Sequence, residues 1–138
     1  MWGNRSATIV LLVMIMGFVA SCATTAVNRE ATPPEFRSIL GKWVRSGTPY
    51  ELTVVRVDSQ GAAWVRYWNP TWNRWINVAD ASVEMREGGA LLLLVVFRDE
   101  GYMGSHYRLL TQPNSNELTG TYYLASTAST VNVRFRRQ

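Results

Sequence analysis

Hydrophobic and polar positions divide the chain into three regimes. The first is an apolar run from Ala7 to Ala20, with Arg5 before it and small residues after it. The second, Ala23 to Pro34, is small and polar, with Thr24, Thr25, Asn28 and the pair Pro33-Pro34. It has too little apolar surface to bury a core and reads as a flexible tether. The third begins at Glu35. Phe36, Ile39 and Leu40 recur at spacings of three and four, which predicts one helical turn. From Gly41 onward the pattern is that of strands.

Tyr50 to Asp58 alternates at first, then slips phase at Val55 and Val57, which predicts a bulge near Val54. Asp58-Ser59-Gln60-Gly61 is a turn, and Ala62 to Asn69 is the next strand, closed by Asn69-Pro70. A loop then leads to a strand over Val83 to Glu87, with Val83 and Met85 directed inward, and Gly88-Gly89 as a two-residue hairpin turn. Ala90 to Arg98 is apolar nearly throughout, the pattern of a strand covered on both faces. Asp99-Glu100-Gly101 turns into Ser105 to Thr111, and Gln112 to Asn116 is a polar turn. Leu118 to Leu124 alternates cleanly. Ser126 to Thr130 turns, and Val131, Val133 and Phe135 alternate with Asn132, Arg134 and Arg136. Short strands joined by tight turns make an antiparallel meander, and closing it removes its two exposed edges. The expected fold is all-β, a single antiparallel up-and-down barrel of about eight strands, the number whose interior is filled by side chains or holds one small ligand.

The first regime is a secretory-signal pattern and is too short to cross a bilayer as a helix. Its end, Val19-Ala20-Ser21-Cys22, resembles the bacterial lipobox, in which cleavage precedes a cysteine that receives lipid on its sulfur. That resemblance implies a signal peptide over 1–21 and lipid at Cys22; with it, the small, polar stretch 22–34 becomes a lipidated tether, and the strand pattern makes 35–138 the barrel domain. The resemblance also implies a membrane partner through acyl chains at Cys22, and a location in the bacterial cell envelope. Two or more chains hold a protein stably. In a Gram-negative host, Ala23 in place of Asp after the cysteine implies the outer membrane, facing the periplasm or the surface.

Cys22 is the only cysteine, so a lipidated chain has none left for a disulfide and takes its stability from packing. The net charge of +4 comes almost wholly from arginine, with Lys42 the single lysine. The cations are dispersed until Arg134, Arg136 and Arg137. A nucleic-acid footprint would cluster them on one element, so no nucleic acid is expected as a partner.

Gly41-Lys42-Trp43 opens the first strand just after the helical turn, and arginines close the last one. This is similar to the lipocalin-like superfamily, whose Gly-x-Trp motif packs its tryptophan under the barrel against a late arginine. The resemblance implies Trp43 as a structural plug, with Arg136 or Arg134 as its cation–π partner.

The chemistry-bearing residues point to binding, not catalysis. His106 is the only histidine and has no orienting partner in prospect. One histidine and no free cysteine predict neither a metal site nor a cofactor. The glycines of Gly101-Tyr102-Met103-Gly104-Ser105 lead into a strand, where a phosphate loop would lead into a helix. The densest feature is the aromatic cluster Trp64, Trp68, Trp72 and Trp75 with Arg66 and Arg74 threaded through it. Trp64 and Trp68 share a strand face with Arg66 between them, and Tyr67 points the other way. These residues either fill or cap the barrel or form a binding rim, since tryptophan suits apolar ligands, sugar faces and membrane interfaces. The expected function is a non-catalytic binding module for a small apolar ligand, lipid or glycan. The alternatives are a protein-interaction module, such as a lysozyme or protease inhibitor, and a structural envelope accessory.

Overall fold

The computed structural model describes residues 31–138. The apolar run, the lipobox with Cys22 and most of the tether lie outside the described residues. Nine strands follow a 3-10 turn at Pro34–Ile39: β1 (Gly41–Arg45), β2 (Glu51–Val57), β3 (Ala63–Asn69), β4 (Arg74–Ile76), β5 (Val78–Met85), β6 (Leu91–Phe97), β7 (His106–Thr111), β8 (Glu117–Leu124) and β9 (Ser129–Arg137). All pair antiparallel in one sheet of order β4-β3-β2-β1-β9-β8-β7-β6-β5. Up-and-down connections and the β1–β9 pairing curl this sheet into a nearly closed barrel.

The ninth strand comes from a break. β4 and β5 lie at opposite edges of the sheet yet are consecutive in the chain, separated only by Asn77. They form one kinked stave that pairs with β3 at its start and with β6 afterwards. The kink is clamped by Asp99. Its Oδ2 accepts from the Asn77 backbone N–H at 3.0 Å and its Oδ1 from Asn77 Nδ2 at 2.7 Å. At the other end of the seam an Ala62–Ser82 bridge and a bond from Val83 N–H to the Gly61 carbonyl at 2.8 Å draw β3 and β5 together. A Cβ on Gly61 would lie 2.4 Å from the Val83 carbonyl oxygen, so only glycine permits that approach.

Alternation along the strands sets the interior. Leu52, Val54 and Val57 on β2 and Leu91, Leu93, Val95 and Phe97 on β6 point inward and are buried. The β2 phase slip is a register shift between Val54 and Arg56, which throws Val55 out to solvent. Four expectations need correction. Leu92, Leu94 and Val96 are only half-buried, because the outer face of a barrel strand has side chains beside it but no second layer above it. Met85 is exposed, because it lies past the Gly61–Val83 bond, where β3 has already turned away. The β5–β6 turn has three residues, Glu87-Gly88-Gly89, since Arg86 N–H bonds to the Ala90 carbonyl at 2.7 Å. The stretch between Asn69 and Val83 is largely strand. Its alternation is broken by the kink and by a register shift between Val78 and Asp80.

Trp43 closes one end of the barrel. It is fully buried, and its indole Nε1 donates to the Ile39 carbonyl at 3.0 Å, so the 3-10 turn forms a lid held by the plug. The guanidinium over its ring, at 4.1 Å, belongs to Arg137, not to Arg136 or Arg134. Val133 and Phe135 point inward on β9, so residue 137 continues the inward row. Arg134 and Arg136 fall outside and meet Glu117. Arg137 also donates to the carbonyls of Leu40 and Ser38, closing the end of the turn. Gly41 makes room for this: at φ 114°, a Cβ there would stand 3.1 Å from Arg137 Nη1. The domain begins slightly earlier than the composition implies, because Thr32 Oγ1 accepts from the Val57 backbone N–H at 3.0 Å.

Candidate binding site

β3 carries Tyr67 and Asn69 inward and Trp64, Arg66 and Trp68 outward. Its neighbours complete the outer face. Arg56 of β2 pairs with Trp64, and Trp75 of β4 pairs with Trp68. Each cation in this row lies over a ring. The Arg56 guanidinium is 3.4 Å from the Trp64 centroid, and that of Arg66 is 4.1 Å from Trp75. Trp68 meets Trp75 edge to face at 5.0 Å. Arg74, the first residue of β4, stands 5.1 Å over Trp72 of the β3–β4 loop, whose ring meets Tyr102 at 5.4 Å and 86°.

The sequence left open whether these tryptophans are interior or surface. They are surface: Trp64 is 45 %, Trp75 46 % and Trp72 51 % exposed. The six residues do not converge on one point. Trp64, Arg66, Trp68 and Trp75 form a strip on the barrel wall, whereas Trp72 and Arg74 stand at the rim. Stacking orders the guanidiniums and removes part of their hydration. Among the described residues, Arg56, Arg66 and Arg74 have no carboxylate in ion-pair contact; the ion pairs present join other cations to Glu51, Glu84 and Glu117.

A second concavity lies at the mouth, the end opposite Trp43. Its volume is about 300 Å³, and it is lined by Arg45, Tyr50, Tyr67, Trp72, Gly101, Tyr102, Tyr107, Tyr122 and Leu124. Five of the six tyrosines therefore stand at this one opening. The reading from sequence missed this group. The signal was there, since Tyr67, Tyr107 and Tyr122 all have inward parity, but bringing them together needs the cross-strand register. Tyr67 and Tyr107 share a hydroxyl–hydroxyl bond of 2.8 Å, and Asn69 Nδ2 donates to Tyr102 Oη at 2.6 Å. Burial pushes the Tyr107 hydroxyl up to about 12, and raises those of Tyr67, Tyr102 and Tyr122 as well. All four stay protonated at neutral pH. Below them the barrel is packed.

His106 lies on the outer face. Its ring tilts against Tyr123 at 5.0 Å, and its Nδ1 is 3.2 Å from the Gly104 carbonyl oxygen. The Asp99 carboxylate is taken up by Asn77, whose backbone and side-chain N–H groups hold its pKa below the ordinary value. Among the described residues no three His, Cys, Asp or Glu side chains gather as a metal site. No family model, no curated protein and no solved structure matches the chain.

Proposed function

We propose that the chain is an envelope-anchored lipoprotein whose barrel is a non-catalytic binding module, and that it binds through the external tryptophan–arginine face. The ligand class that suits this face is a glycan or lipid headgroup bearing negative charge. One observation carries the reading: three half-exposed indoles are interleaved with three guanidiniums that, among the described residues, form no ion pair, Asp99 acting on Arg74 only from beyond contact distance. Exposed apolar area of this kind favours association, and Trp and Arg are the residues that dominate binding hot spots. The packed interior turns the search for a ligand toward the rim and wall.

The test compares Trp72→Ala and Trp75→Ala with the parent chain, using envelope glycans and vesicles containing anionic lipid as probes. A hot-spot loss of about 2 kcal/mol corresponds to roughly 30-fold weaker binding, with the unfolding midpoint unchanged. Loss of stability with normal binding per folded molecule would place the indoles in the structural framework and end this reading. A second reading, a protein-interaction module such as an enzyme inhibitor, is favoured by the filled barrel with Trp72 and Arg74 projecting from the rim. Inhibition of a lysozyme or protease that Trp72→Ala abolishes would establish it.

A further inference from the structure

The mouth of the barrel has a chemistry of its own, distinct from that of the outer wall. Arg45 ends β1 at an inward position and is half-buried. Its guanidinium lies 5.8 Å from the Tyr50 ring centre and 5.7 Å from that of Tyr122, and its Nη1 donates to Tyr107 Oη at 3.4 Å. None of the side chains lining the mouth is a carboxylate. A partly desolvated cation without a counter-charge is costly unless something supplies one.

Tyr102 Oη accepts from Asn69, and its own proton has no acceptor among the described residues. Tyr67 and Tyr107 bring two hydroxyl protons to a single mutual bond, and Arg45 already donates to one of the two oxygens. One proton of that pair is left over, as are further N–H groups of Arg45. Donors thus outnumber acceptors around a cavity whose remaining walls, Trp72, Leu124 and the tyrosine rings, are flat and apolar. A volume of about 300 Å³ is at the lower end for small-molecule sites.

We propose that the mouth is a binding site for a small organic anion, a carboxylate on a flat apolar body, with Arg45 and the Tyr102 hydroxyl receiving the carboxylate above the buried Tyr67–Tyr107 pair. The anion accepts the Tyr102 proton and neutralises Arg45, while its body lies against Trp72 and Leu124. The raised Tyr102 pKa is in keeping with a hydroxyl that stays a donor.

The test uses the full chain in detergent and three probes, benzoate, 4-hydroxybenzoate and 1-naphthoate, each beside its uncharged carboxamide. Calorimetric titration should give a Kd below about 1 mM for at least one carboxylate, with its amide at least tenfold weaker. Charge-assisted hydrogen bonds imply that Arg45→Gln weakens the carboxylate by about 10–100-fold and leaves the amide unchanged. Leu124→Trp, which fills the pocket and spares the charge, should abolish both. Trp75→Ala and Arg66→Gln should change neither, which separates this site from the outer face. A resonance spectrum of the parent type shows that each variant is folded, and the amide of Gly101 should shift on binding. No saturable binding of any probe, equal affinity for acid and amide, or a carboxylate site that survives Leu124→Trp would each overturn the proposal.

Discussion

Replacing Trp43 by alanine tests the closure of the barrel most directly. The indole is fully buried, so truncation leaves a large cavity under the 3-10 turn. Substitutions of this type cost about 3–5 kcal/mol. Two further losses follow from the local geometry: the Ile39 carbonyl loses its donor, and Arg137 loses the ring beneath it. The expected cost therefore lies at the upper end, about 5 kcal/mol, against a whole-domain stability of about 5–15 kcal/mol. Urea denaturation reads this as a lower midpoint at constant slope. The companion variants locate the arginine. Arg137→Met removes the stacked cation and the donors to Leu40 and Ser38 and should cost about 2 kcal/mol, whereas Arg136→Met breaks only an exposed pair with Glu117 and should cost less than about 1 kcal/mol. A double-mutant cycle between Trp43 and Arg137 should give a coupling of about 1 kcal/mol. Equal effects of the two arginine variants, or a Trp43→Ala midpoint like the parent's, would refute the plug.

Two pH dependences follow from the titrating groups. Asp99 has a lowered folded pKa, so its stabilising contribution is present above the unfolded value, about 3.9, and is lost as pH falls through the folded one. Asp99→Asn should lower the melting temperature at neutral pH and flatten its fall in acid, as calorimetric scans across that range would show. Tyr107 has the opposite sign. Its folded pKa, about 12, exceeds the unfolded value, so its contribution is complete below about pH 10 and is lost as pH rises toward 12. Tyrosinate absorbance should show the buried hydroxyls titrating only with unfolding, and Tyr107→Phe should soften the alkaline loss. An unchanged alkaline midpoint in that variant would contradict the assignment.

Much of the fold was legible because a barrel is written in parity. Tyr50 to Val57, Leu118 to Leu124 and Val131 to Phe135 each alternate, and the slip at Val55 marked its own bulge. The same rule carried two residues further would have chosen Arg137 over Arg136. The stave from Arg74 to Ser82 was illegible for the same reason, although its last residues, from Val83, were read as strand: the kink at Asn77 and the register shift interrupt the alternation, and Ala79 and Asp80 are exposed. The outward side of Trp64, Arg66 and Trp68 followed from Tyr67 pointing the other way, yet which side was the interior needed the neighbouring strands. The mouth was out of reach because its tyrosines come from β3, β7, β8 and the loops before β2 and β7, and one strand's pattern carries no information on what stands across from it.

The two ends of the barrel are not equivalent with respect to the proposed anchor, and this orders the surfaces. Thr32 is bonded to Val57 at the end of β2, the Trp43-plugged end, so the chain enters the domain at the base. Residues 23–31 span at most about 32 Å when extended. If Cys22 is lipidated, the tether joins the domain at its base, so the base lies nearer the bilayer on average than the mouth, with Arg56 and Trp64 the nearest part of the tryptophan–arginine strip. Trp64 and the Asn69 end of β3, beside Trp72, are separated by about 17 Å along the strand. Energy transfer from tryptophan to a dansyl group on the lipid headgroups can resolve that ordering. With the lipidated protein in labelled vesicles, Trp64→Phe should remove more of the transfer than Trp72→Phe. Cys22→Ser, which blocks lipid attachment, should remove nearly all of it. A larger loss on replacing Trp72 would turn the mouth toward the membrane, and a parent-like signal from Cys22→Ser would remove the anchor from the argument altogether.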